Sequence, residues 1–317
     1  MATALEGTPV SDDELFSRIE VCPPYFALTD VRRTVDGGVS AQVRICQSLG
    51  DEIGPVSAAE TGRHLAILGS VAAAFANPSA ERHFYLAFDA ELRRSRTRVE
   101  ADHSEPLVAH ARAHFVDPST ALAVADLRTQ DGRTVYSLVV FFFVVPENDF
   151  RGLFAAHAHD DAPLAGRPDP YQDVIGVSDI SVWDTRLHGS LGHIDPYRCA
   201  GHFPGLPAMP VAFLMSNVAA AASRLLHHVL GRDEVRFVIR EASLRAENLA
   251  FTGERVDIHV EYQRFASGTH WLHCAAIAEG TKSVGQVHVK CRVRDRPVHD
   301  GDGQLDDRSV TVRTLCS

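Results

Sequence analysis

The residues best suited to chemistry are gathered in one run, Gly201-His202-Phe203-Pro204-Gly205-Leu206-Pro207-Ala208-Met209-Pro210. An unperturbed imidazole titrates at ~6.5, so His202 can serve as a base near neutral pH. The prolines and Gly205 stiffen and bend the loop directly ahead of an apolar stretch, residues 211–230, with Gly231 as its stop. A helix starting there presents unpaired backbone N–H groups and the positive end of its dipole, which polarise a carbonyl. Phe203, Gly205, Pro210 and Val211 are therefore candidate binding positions around the base, with the Val211 N–H for the carbonyl. A second chemical candidate is Glu60, an acid on an otherwise Ala-, Leu- and Ile-rich stretch, where burial is costly unless the charge is used. Its other reading is structural. Ser57 lies three residues earlier, the spacing of a capping box, and the two roles can coexist.

The elements that must hold these residues come twice. Residues 58–76 read as a long helix between a Gly54-Pro55 break and Asn77-Pro78. A hairpin at 26–45, turning at Asp36-Gly37-Gly38, precedes it. Strand-like runs follow at 84–92, 107–116, 121–127 and 135–145; the Val-Val-Phe-Phe-Phe-Val-Val core of the last reads as a central buried strand. Residues 147–170 lose periodicity and read as a linker. Then the order returns: a hairpin at 174–194, the His202 loop, the helix at 211–230, and strands within 235–249, 256–265, 271–279 and 284–293. Asp131-Gly132 falls on Glu279-Gly280 (279 − 131 = 148) and Asp30 on Asp179 (179 − 30 = 149), which marks an internal repeat.

Composition narrows the partners. The chain has 317 residues, 45% hydrophobic and 23% charged, with a formal net charge of −10, so nucleic acid and anionic membrane are poor partners. Residues 1–20 are polar and acidic, a leader without the basic start and apolar core of a signal peptide. The six cysteines show no paired or metal-type spacing, which suits free thiols in a reducing cytoplasm. His157-x-His159 with Asp160-Asp161 reads as polar linker rather than a metal site, and no phosphate-binding or zinc motif is present.

The run from Asp195 to Pro210 resembles the signature of the hot-dog-fold β-hydroxyacyl-acyl-carrier-protein dehydratases: a Gly-His-Phe-Pro loop, a Pro-x-Met-Pro-Gly turn and a buried helix carrying an acid. Gly253-Glu254-Arg255-Val256, Gly268 and Gly280 are similar to the family's later strands and turns. The resemblance covers residues 170–295; the first half matches by architecture alone. It implies an α+β double hot-dog, two repeats that each wrap an antiparallel sheet around a central helix, with the sheets joined edge to edge in an intrachain pseudo-dimer. In the family the acid lies 14 residues after the histidine, but 202 + 14 is Ser216, followed by Asn217, and Val211 replaces the family's glycine. The family builds its sites between two hot dogs, so the resemblance implies that the first repeat supplies the acid. One composite site then pairs His202 with Glu60, supported by Ser57 and His64. The other, around Ser216, Asn217 and Cys46 (60 − 14 = 46), is degenerate. Arg63 reads as a solvated or interface charge.

The expected activity is that of a (3R)-hydroxyacyl-thioester dehydratase or hydratase. His202 would act at C2 and Glu60 on the C3 hydroxyl, in fatty-acid or polyketide-type metabolism. The substrate would be an acyl-carrier-protein or coenzyme A thioester, with no cofactor beyond its phosphopantetheine or CoA and no metal. Two alternatives stand beside it. One is a hot-dog acyl-thioesterase in which Glu60 activates water or attacks. The other is a non-catalytic acyl-thioester or carrier-protein binding module, favoured by Ser216 and Val211. The expected layout is a leader at 1–20, an N-terminal hot-dog at 21–147, a linker at 148–170, a C-terminal hot-dog at 171–295 and a polar tail at 296–317. Assembly of the pseudo-dimer into a homo-oligomer is left open.

Overall fold

Each long helix is set by its ends. Ser57 accepts a hydrogen bond from the Glu60 N–H at 3.2 Å and starts α2 (Ala58–Ala76). Gly231, at φ 59°, ends α4 (Val211–Leu230) in the left-handed conformation. Both helices match the stretches read from sequence. The computed structural model describes residues 6–96, 106–160, 166–264 and 268–294. The tail at 296–317 and Cys316 lie outside them.

The strands are β1 (Thr8–Pro9), β2 (Leu28–Arg33), β3 (Val39–Val43), β4 (His83–Arg94), β5 (Leu107–Asp117), β6 (Thr120–Thr129) and β7 (Thr134–Pro146) in the first half. In the second they are β8 (Ser178–Trp183), β9 (Arg186–His193), β10 (Arg236–Ala246), β11 (Arg255–Arg264), β12 (Thr269–Ala278) and β13 (Lys282–Arg294). Their order across the sheet is β1-β2-β3-β5-β6-β7-β4-β10-β13-β12-β11-β9-β8. From β4 outward the order 4-7-6-5-3-2 is repeated from β10 outward as 10-13-12-11-9-8. Asp30 and Asp179, aligned by the repeat, both take φ 50° where β2 and β8 slip register.

This corrects the expectation of an α+β double hot-dog with one sheet wrapped around a central helix in each repeat. The described strands form one continuous 13-stranded antiparallel sheet, and helices are the minor component. The joint is a β4–β10 ladder, Glu241 opposite Arg93 through Arg245 opposite Asp89. The two sheets were expected to meet edge to edge, but alternation within a strand specifies its two faces and not its neighbour, so the pattern did not say which strands meet. The expectation of a fully buried β7 is corrected too. Its residues alternate, and Val139 and Phe143 are 37% and 49% exposed, because an antiparallel sheet can leave one face to solvent.

α2 packs on β3 through β7, α4 packs on β9, β11 and β12, and the two helices touch. At Gly69 an added Cβ would lie 3.1 Å from Ala123 Cβ, so glycine lets α2 settle close to the sheet. The stretch read as a leader enters the core: α1 (Asp12–Phe16) is capped by Ser11, and Leu15 and Ile19 are buried. The stretch read as a linker opens with α3 (Glu147–Leu153), whose Phe150 stacks on Phe84 at 3.9 Å and meets the edge of Phe203. No described helix is long and apolar enough to cross a membrane.

Candidate active site

The His202 loop is fastened at both ends. Asp195 caps a single 3-10 turn (Pro196–Cys199) by accepting from the Tyr197 N–H at 2.9 Å. Gly201 follows at φ 81°, with its would-be Cβ 2.2 Å from Cys22 O, so only glycine lets the N-terminal segment lie against the loop. Cys22 N donates to Gly201 O, and Ala208 N donates back to His202 O at 3.1 Å. The imidazole is thereby held, with Nδ1 3.0 Å from Ala208 O. A carbonyl only accepts, so Nδ1 carries the hydrogen and Nε2 is left with its lone pair. The ring stacks on Phe203 and meets the edge of Tyr25. Burial, more than the nearby Arg63 charge, lowers its pKa to about 4, while the hydrogen bond to Ala208 pulls it upward. His202 is therefore a neutral base at pH 7.

His202 opens onto a cavity that Val211 and Ala212 also line. Pro210, at the N-cap of α4, makes no side-chain capping bond. The first N–H groups of α4 therefore have neither intrahelical acceptors nor a side-chain cap. Ala66, Ala87, Val211 and Ala212 are walls shared with a second, almost wholly apolar channel between α2 and α4. The α2 wall is small throughout, Ala59, Gly62 and Ala66, and α4 contributes Ala212, Ala219 and Ala222 with Met215 among them. Ala59, Ala219 and Phe237 are walls shared by that channel and a third, more polar cavity bearing Gln47, Asp51, Ser216 and His227.

Glu60 lies outside the walls of all three. It is fully buried, and its carboxylate accepts from the N–H of Cys46 at 2.5 Å and of Gln47 at 3.2 Å, with His64 Nε2 3.5 Å away. The capping box with Ser57 is therefore formed at its Ser–N3 arm. Neither ring nitrogen of the buried His64 has a hydrogen-bond partner, and burial lowers its pKa. The Arg63 charge acts on His202. Read from sequence as a solvated or interface charge, Arg63 is 1% exposed and not solvated, because its guanidinium donates to Tyr25 O and Pro24 O and lies over the rings of Tyr25 and Tyr171. At the second pseudo-site Ser216 Oγ donates to Gln47 Oε1 at 2.9 Å, and Asn217 Oδ1 accepts from Ile175 N. Asp51 accepts from Ser223 Oγ and sits 3.2 Å from His227 Nε2. Among the described residues no cluster is arranged to hold a metal ion.

Sequence reasoning missed the polar residues that share the His202 cavity: Glu20, Tyr25, Ser70, Tyr85 and Asn248. Glu20 had one available signal, an acid inside the apolar run Ile19-Glu20-Val21.

No protein-family model matches the chain, and no curated protein does. Solved structures do. The tesB protein of Mycobacterium avium subspecies paratuberculosis is 10% identical, with a TM-score of 0.55 over 84% of this chain and 96% of that one. A Lactobacillus plantarum protein assigned as an oleoyl thioesterase is 12% identical, with a TM-score of 0.52 over 83% and 97%. A protein of unknown function with a hot dog fold from Alicyclobacillus acidocaldarius is 13% identical, with a TM-score of 0.50 over 87% and 99%. The likeness at these identities is one of fold, and the fold is hot-dog-like.

Proposed function

We propose that this chain transforms acyl thioesters in the His202 cavity, and that the reaction is hydrolysis. The observation that carries the reading is the juxtaposition of a neutral imidazole, held through Nδ1, with the uncapped start of α4 at the head of an apolar channel. The channel suits an acyl chain and the helix start suits the thioester carbonyl. Nε2 takes a proton from water as the water oxygen bonds to the carbonyl carbon. The resulting oxyanion is stabilised by the α4 N–H groups. The C–S bond then breaks and the thiolate takes the proton from the imidazolium, which a pKa of about 4 makes a ready donor. The thioesterase name of the Lactobacillus plantarum fold neighbour supports hydrolysis over the expected lyase.

Dehydration of a 3-hydroxyacyl thioester is the second reading, and the residues favouring it are the Gly201–Pro210 loop itself. It requires an acid, and Glu60 serves only if the Cys46–Gln47 loop releases its carboxylate.

One experiment separates these. Acyl and 3-hydroxyacyl thioesters of CoA and of acyl carrier protein are supplied, and free thiol and enoyl absorbance are read together. Thiol release is expected, with a loss of about 100-fold or more in His202→Ala. Enoyl product without thiol, abolished in Glu60→Gln, would establish the second reading. Binding without either product would leave only a binding module and overturn both.

A further inference from the structure

Glu20 lies between α1 and β2, on the wall of the cavity that His202 enters. It is 3% exposed, and its Oε2 has no hydrogen-bond partner. A buried carboxyl oxygen left unpartnered is costly, and ionisation would add the desolvation of a full charge. The charged and titratable groups facing it are Arg82 after α2, Tyr85 on β4, Tyr25 ahead of β2 and, across the cavity, His202. Burial prevails over the Glu20 and Tyr85 N–H groups and the Arg82 charge and raises its pKa to about 8. Near pH 7 Glu20 is therefore a neutral acid whose O–H needs an acceptor, in the same cavity as the unprotonated His202.

We propose that Glu20 is a specificity-determining residue of the His202 cavity. It donates a hydrogen bond to an oxygen that the acyl chain carries near the thioester, so that oxygenated acyl chains are preferred over plain ones. This rests on reading the cavity as an acyl-thioester site. Glu20 comes from the segment ahead of β2, whereas the acid expected from the sequence was on α2. An ether, hydroxyl or keto oxygen would satisfy the same donor.

Unreactive amide analogues of pantetheine test this, one bearing a 3-hydroxybutyryl and one a butyryl group, with binding measured by calorimetry. The wild type should favour the hydroxylated amide about 10-fold at about pH 6.5 and lose that preference at about pH 9, where Glu20 is ionised. Glu20→Leu should show no preference at either pH. Glu20→Gln, a donor that cannot titrate, should keep part of it at both. The infrared C=O stretch of protonated carboxyls should be weaker in Glu20→Gln than in the wild type at neutral pH, where Glu52 still contributes. Equal binding of both amides by the wild type, or an unchanged preference in Glu20→Leu, overturns the proposal alone. Binding of neither overturns it together with the acyl-thioester reading.

Discussion

At the scale of single residues, Glu60 shows how far a side chain's type can be read without its contacts. Its cost of burial was legible from the apolar run around it, as was the Ser57 cap, and both are present. The partners that occupy its oxygens were not legible, because Cys46 and Gln47 are joined to it by a loop with no pattern of its own. Those partners make a prediction. Two backbone donors converge on one carboxylate, and a glutamine offers only one oxygen and no charge. Glu60→Gln should lower unfolding free energy by about 1–3 kcal/mol, read from urea midpoints at constant m-value. An unchanged midpoint would show that the carboxylate is not holding the 46–47 loop. His202 is the converse case. Its loop was conspicuous in sequence, but its protonation state followed only from the Ala208 carbonyl, Tyr25 and Phe203 around the ring.

At the scale of elements, α2 and α4 were found within their exact bounds because caps and breakers mark both ends: Ser57 and Asn77-Pro78 for one, Pro210 and Gly231 for the other. Their function was less visible. Ala59, Gly62 and Ala66 recur every three or four residues on α2 and share the channel with Ala212, Met215, Ala219 and Ala222 of α4. A small-residue stripe on α2 leaves a channel where larger side chains would fill a core. A larger residue at Gly62 should therefore shorten the channel without touching the base. Gly62→Leu meets no atom within 4 Å at its Cβ, so the helix should tolerate it. The expected result is that kcat/KM for long acyl thioesters falls about 10-fold or more while that for acetyl thioesters changes little. A uniform loss across chain lengths would mean that the acyl chain lies elsewhere.

At the scale of the whole molecule, an edge-to-edge meeting of the two sheets was expected, but two features depend on which surfaces meet and were not legible. The strands at the joint are β4 and β10, and the N-terminal segment folds over the His202 loop and brings Glu20 with it. Packing on this scale leaves ionisable groups inside, and their shifts set the pH dependence of stability. Burial raises Glu20 from 4.5 to about 8 and Glu52 from 4.5 to about 7, and lowers His202 from 6.5 to about 4. Between pH 4.5 and 8 the folded Glu20 holds a proton that the unfolded chain has released, so stability falls as pH rises through that window. Between pH 4 and 6.5 the unfolded His202 holds a proton that the folded one lacks, so stability falls as pH drops there. The two oppose each other below pH 6.5, and only the carboxyls act above it. Stability should therefore decline from about pH 6.5 to about pH 8, with Glu20 contributing about 2 kcal/mol of the decline at ~1.4 kcal/mol per unit. Glu20→Gln should flatten this decline, leaving the smaller part due to Glu52, and should be more stable than the wild type at about pH 8 relative to their difference at about pH 6.5. Urea unfolding of both proteins at the two pH values checks it. Parallel pH dependence in the two would mean that Glu20 is already ionised in the folded chain, and the neutral acid in the cavity would go with it.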